Sequence, residues 1–285
     1  MAEVSLLLIG DCSRAEFREA CGTLGRLGRV IGAPDVDAAL RLLRDGRLAP
    51  EVVVVLHAYP GQFPAEDVER LRRAVPLGRL VGLLGSWCEG EMRSGSPPPA
   101  AVRVYWHHAS PRFDRELRRM RDRCGGAWAL PVTATEEERL LTDADRPMGR
   151  HAGLIAIHTD RFEMEDWLSA ACRRRGGSTV WLRPPRPARV EGAVAAIYDG
   201  PECGEGNLDE LAHLADTLGL LPSNRPVPIL ALLGFPRIHH HRRALAAGAA
   251  AVLSKPANLD DLFWHLDRLI EEASGRAAPY DMPGG

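Results

Sequence analysis

Short apolar runs alternate along the chain with amphipathic stretches. VSLLLI (4–9), EVVVVL (51–56) and RLVGLL (79–84) are short, rich in branched residues and bounded by polar positions, so each predicts a buried strand. RVIG (29–32) predicts a further short strand. Helical spacing of apolar residues predicts helices from Ser13 to Gly25, from Asp35 to Arg44 and from Pro64 to Ala74. Ser13 and Glu16 have the spacing of a capping box, which would open the first of these. After Leu84 the rhythm falters, because GSWCEGEMRSGSPPPAA (85–101) has too much glycine and proline to continue as a helix. VRVYW (102–106) then reads as a fifth strand and Arg112 to Arg123 as a closing helix.

The pattern breaks across 125–150, where Thr135 and Glu138 could cap a single helical turn, and then restarts. GLIAI (153–157), STVWL (178–182), AVAAIY (193–198), VPILALL (227–233) and AAVL (250–253) predict strands. Helices are expected over Phe162 to Arg175, Asp209 to Leu218, Arg237 to Ala247 and Leu259 to Glu272, while the proline-rich RPPRPARV (183–190) replaces one. Strands joined by helical crossovers build parallel sheets covered on both faces. The fold class expected is α/β: two flavodoxin-like (βα)5 doubly wound domains in tandem, each with one helix shortened or replaced by loop. The divisions read from the sequence are a first domain at 1–125, a linker at 126–150, a second domain at 151–275 and a flexible tail at 276–285. In such sheets chemistry gathers at the carboxyl ends of the strands.

Composition removes several functions. A net charge of −2 and an isoelectric point near 6.6 supply no general field for nucleic acid or an anionic membrane, although the arginines of 183–189 could act locally. The six cysteines form no C-x-x-C pair or zinc-type grouping and read as reduced thiols, and no leader or membrane-length apolar run is evident, so a cytoplasmic protein is expected. Adjacent histidines on a helix point about 100° apart, so HHH (239–241) makes a poor chelator and a better solvated, positive surface. No metal and no cofactor is expected. The loop WCEGE (87–91) combines a thiol with carboxylates but has no nearby histidine to activate it, and GDCSRAE (10–16) lacks the spacing of a dinucleotide loop.

One residue type stands out: Lys255 is the single lysine among 36 basic residues, and it precedes a proline at the end of an apolar run. RRALAAGAAAVLSKPANLDDLFWHL (242–266) closely resembles the fourth helix, fifth strand and fifth helix of response-regulator receiver domains, the CheY-like family. APEVVVVLHAYPGQ (49–62) resembles that family's third strand and the turn after it. With the rhythm of elements, the resemblance extends over both halves. It implies an aspartate after strand three that accepts a phosphoryl group from a histidine kinase. It also implies two acids after strand one that hold Mg²⁺, a hydroxyl ending strand four, and a lysine before proline that reaches the phosphoryl oxygens. A compact ammonium on a flexible stem suits that last role. The same resemblance implies a cis bond between Lys255 and Pro256.

Position by position, both sites depart from this pattern. In the first half Leu56 stands where the acceptor is expected, only Asp11 remains of the acid pair, Ser86 falls near the hydroxyl position, and YWHH (105–108) replaces the Lys-Pro turn. In the second half Asp199 is the candidate phospho-acceptor, with Lys255 and Pro256 as the phosphate-contact candidates. His158 and Thr159 occupy the acid-pair positions with Asp160 one place beyond, and Leu233 stands where a hydroxyl is expected. The expectation is therefore a pair of pseudo-receivers without catalysis, acting in signal transduction through protein contacts. Trp87, Tyr105 and Trp106 are the interface candidates of the first half. The partners expected are proteins: a histidine kinase or another signalling protein, the other half of the chain, or a second copy; nucleic acid and membrane are not. Two alternatives stay open, a phosphorelay regulator using Asp199 and a small-molecule or redox enzyme on a flavodoxin-like scaffold.

Overall fold

The computed structural model describes residues 3–46, 48–88, 102–131, 134–135, 137–139, 142, 153–184, 190–200 and 205–275. The chain divides into two compact units, Met1–Arg146 and Pro147–Gly285. In the first, β1 (Val4–Ile9), α1 (Arg18–Leu27), β2 (Gly28–Ala33), α2 (Val36–Arg44), β3 (Val52–His57), α3 (Ala65–Ala74), β4 (Arg79–Leu84), β5 (Val102–Tyr105) and α4 (Ala109–Arg121) follow in order. In the second come β6 (Leu154–His158), α5 (Phe162–Arg174), β7 (Ser178–Leu182), β8 (Ala193–Asp199), α6 (Glu205–Leu218), β9 (Ile229–Gly234), α7 (Ile238–Ala246), β10 (Ala251–Lys255) and α8 (Leu259–Ser274). Both sheets are wholly parallel, ordered β2-β1-β3-β4-β5 and β10-β9-β8-β6-β7, so each unit has the strand order 2-1-3-4-5 of flavodoxin-like doubly wound folds.

The continuous apolar runs form strands because both faces of each sheet are covered. All six residues of β3 are buried, its Val53 and Val55 packing with Leu40, Val68 and Leu71 of α2 and α3. In the second unit Ile155, Ile197 and Leu253 pack on one side against Leu168, Leu262 and Leu266, while Ala196, Tyr198 and Ala231 pack on the other against Leu211, Leu214 and Ala244. Neither the β4–β5 nor the β7–β8 connection shows a helix among its described residues; 89–101 and 185–189 lie outside them.

Two local readings need correction. Helix α1 begins at Arg18 and has no side-chain cap, because Ser13 donates its hydroxyl to Asp11 Oδ1 at 2.6 Å and Glu16 pairs with Arg14 Nε at 3.1 Å. The local Asp11 turn wins over the Ser13–Glu16 box. The Thr135–Glu138 box does form, reciprocally, at 2.8 and 3.2 Å. It stands in a stretch assigned to a linker, yet part of that stretch is packed. Trp128 is buried edge-on against Phe113 and donates its backbone N–H to Glu116 Oε2 at 3.0 Å, and buried Arg139 donates to the carbonyls of Ala127 and Pro131 at 2.6 and 2.8 Å.

Candidate functional site

In the second unit the parallel register pairs His158 with Tyr198, so the next residues, Thr159 and Asp199, meet at the carboxyl edge. The Asp199 side chain is fully buried there. Lys255, at the end of β10, places Nζ 2.7 Å from Asp199 Oδ1 and also donates to the Gly200 carbonyl. The Lys255–Pro256 bond is cis, as expected from the sequence. Thr159 Oγ1 donates to Asp199 Oδ2 at 2.8 Å, and its carbonyl accepts the Trp181 indole N–H at 2.9 Å. Gly200 is closely packed: a Cβ there would lie 2.9 Å from a Leu233 methyl and from the Tyr198 ring, so a larger residue would have to displace those side chains.

Arg161 was not legible as a site residue, and it dominates the geometry. From the turn leading into α5 its Nη2 reaches Asp199 Oδ2 at 2.6 Å and Oδ1 at 2.7 Å, with Nε 3.2 Å from Oδ2. Two cations and a hydroxyl thus occupy one carboxylate. Burial alone would raise the Asp199 carboxyl, but the Arg161, Lys255 and Thr159 hydrogen bonds outweigh it and hold the carboxyl below its ordinary value. Arg161 is itself held further protonated by Asp199.

The acid-pair positions do not fit Mg²⁺, a hard ion that takes oxygen ligands. His158 is buried, and burial pushes its imidazole down, towards the neutral form. Thr159 is bound to the carboxylate, Asp160 is exposed, and the guanidinium already spans both Asp199 oxygens. Among the described residues no group of three or more His, Cys, Asp or Glu is arranged to hold a metal. Opposite Asp199 across β9 stands Leu232 rather than Leu233, and Leu233 packs into the core beneath α6 and α7. Leu232 lines a largely apolar cleft of about 400 Å³ with Met164, Trp167 and Pro256, at whose edge Arg161 and Lys255 stand.

The same register in the first unit pairs Ile9 with Val55, so Gly10 meets Leu56 where Thr159 meets Asp199 in the second. Leu56 is fully buried; Gly10 has φ 119°, and a Cβ on it would lie 3.0 Å from Leu56 Cβ. By that count Cys12 is the counterpart of Arg161. Asp11 is exposed and turned onto Ser13, and Ser86 is a half-buried turn residue. His57, next to Leu56, is buried with no hydrogen-bond partner for Nε2, and burial lowers its imidazole from 6.5 to about 4. Of the proposed aromatic anchors, Trp87 is exposed and Tyr105 half-buried, but Trp106 is buried, because the chain leaves β5 in a tight turn that carries its ring inward. Trp106 belongs to the core. The carboxylates of the 87–91 loop lie outside the described residues, as does the 276–285 tail.

No protein-family model and no curated protein matches the chain. Solved structures similar to it include the signal receiver domain of a signal transduction histidine kinase from Syntrophus aciditrophicus, at 21% identity and TM-score 0.32, covering 46% of this chain and 99% of that one. A probable two-component system response regulator/GGDEF domain protein overlaps at 12% identity and TM-score 0.33, over 95% of this chain and 99% of that one. NtrX from Brucella abortus overlaps at 18% identity and TM-score 0.32, over 44% of this chain and 28% of its own. Likeness at this level carries no chemistry across, which leaves function to be argued from the residues. Among the described residues no helix is long and apolar enough to cross a membrane.

Proposed function

We propose that this chain is a signal-transduction protein whose two receiver-like units act by binding other proteins rather than by accepting phosphate. The observation that carries the reading is the Asp199 carboxylate. Both its oxygens are held by Arg161 and Lys255, its side chain is sealed from solvent, and the guanidinium spans the two oxygens that a metal-assisted transfer would need to leave available. An acceptor must present a free lone pair in line with the donor, and here the lone pairs are committed. In the first unit Leu56 has no oxygen to offer, and its neighbours pack it in place. The sequence resemblance at 49–62 and 242–266 supports the assignment to signalling.

The alternative, a phosphorelay receiver using Asp199, is favoured by Lys255 Nζ at 2.7 Å and opposed by Arg161. Affinity capture from the source organism, with wild-type and Asp199→Asn protein and with or without a phosphodonor, separates the two. The proposal expects the same partners in all four arms. A partner retained by the wild type only after phosphodonor treatment would contradict it.

A further inference from the structure

The first unit carries a pair of thiols that its packing does not explain. Cys12 lies in the turn after β1 and Cys21 in the first turn of α1, and their sulfur atoms are 2.7 Å apart. That is within about 1 Å of the 2.05 Å of a disulfide bond and too close for sulfurs that merely pack. Three local features bring them together. Gly10, at φ 119°, turns the chain out of β1; Asp11 accepts from both the N–H and the hydroxyl of Ser13 and folds the turn back; and the late start of α1 sets Cys21 beside it. Both thiols are half-buried, within reach of a small oxidant.

We propose that Cys12 and Cys21 are a redox site of the first unit, closed to a disulfide by a peroxide and reopened by a dithiol. The inference stands apart from the phosphorylation reading and holds whether or not Asp199 accepts phosphate. Cys12 is the attacking group: the Cys21 S–H hydrogen bond draws it below the ordinary thiol value, against its burial and the Asp11 charge, while that same bond holds Cys21 protonated. The Cys12 thiolate attacks one peroxide oxygen, the O–O bond breaks, and hydroxide leaves and takes a proton to become water. The Cys12 sulfenic acid is then attacked by the Cys21 sulfur; the S–OH bond breaks, and its oxygen leaves as a second water with the Cys21 proton. Two thiols and one peroxide give one disulfide and two waters, with two electrons passing from sulfur to oxygen.

The surroundings make the pair selective. Among the other described cysteines, Cys172 is buried and pushed up to about 11 by desolvation, Cys88 is buried with its thiol on the His57 carbonyl, and Cys124 is exposed with its thiol on the Asp122 carbonyl; Cys203 lies outside the described residues. The bridge would tie the turn bearing Asp11, Arg14 and Glu16 to α1. At Leu56 this unit has no acceptor, and the thiol pair gives the same strand edge a different chemical input.

The test is limited hydrogen peroxide treatment of the full chain, alkylation of the remaining thiols, and intact and peptide mass analysis. The result expected is a loss of about 2 Da, a Cys12–Cys21 linked peptide, and reversal by dithiothreitol. Cys12→Ser and Cys21→Ser should each abolish the link, with unchanged circular dichroism, while Cys124→Ser retains it. Cys12→Ala is the second variant should the serine disturb the turn. Full alkylation of both thiols after peroxide, or Cys12 driven to the sulfinic acid with Cys21 still free, would overturn the proposal.

Discussion

Asp199 is a buried anion held by two cations, and its energetics follow from that. Replacing it with asparagine leaves Lys255, whose side chain is only 18% exposed, without a counter-charge, and should cost about 3 kcal/mol of stability. Asp199→Asn combined with Lys255→Met should recover much of that loss, and a double-mutant cycle by urea denaturation measures the coupling, expected at about 1–3 kcal/mol. Arg161→Ala should cost less, because the guanidinium is half-exposed and Lys255 and Thr159 remain on the carboxylate. Two groups give acid sensitivity in separate windows. The His57 imidazole is lowered in the fold, so as pH drops from 6.5 towards 4 the unfolded chain takes up a proton that the folded one does not, and about 3 kcal/mol is lost from the first unit. His57→Phe should flatten melting temperature across that window. The Asp199 carboxyl is also depressed, and its contribution, present above the unfolded value near 4, is lost only below it. Lys255 and Asp199 were legible because each ends an apolar run and one precedes a proline. Arg161 gave no such signal, since the chain uses arginine for nearly every cation; only its place after β6 marks it, at the edge where metal-binding acids would stand.

At the scale of elements, strands and most helices were readable because parallel strands buried on both faces leave unbroken apolar runs, and capped helices announce their starts. Asp35 accepts from the Ala38 N–H at 2.7 Å and Asn258 from the Asp261 N–H at 2.8 Å, each fixing a first turn. Asn258→Ala should lower the stability of the second unit by about 1 kcal/mol in urea denaturation, with little change in circular dichroism. The start of α1 was not readable, because the choice between a Ser13 cap and an Asp11 turn depends on which side chain wins a shared hydrogen bond. The role of 126–142 was equally hidden: a short segment that breaks the alternation of strands and helices looks like a connection until Trp128 is seen against Phe113. Trp128→Ala should cost about 3–5 kcal/mol and unfold the first unit.

Across the whole molecule, the tandem repeat of rhythm became two sheets of identical strand order, each with its own core. Fragments 1–146 and 147–285 should therefore each fold cooperatively when expressed alone, the first losing stability if cut at 125 because Trp128 and Arg139 would go with the cut. What the two units share is the carboxyl edge of the central strands, where Leu56 meets Gly10 in one and Arg161 and Lys255 hold Asp199 in the other. We propose that neither edge accepts phosphate. The most direct test is the intact mass of the full chain after incubation with acetyl phosphate and Mg²⁺. An unchanged mass is expected, and a stoichiometric gain of about 80 Da, one phosphoryl group, that disappears in Asp199→Asn would overturn the proposal.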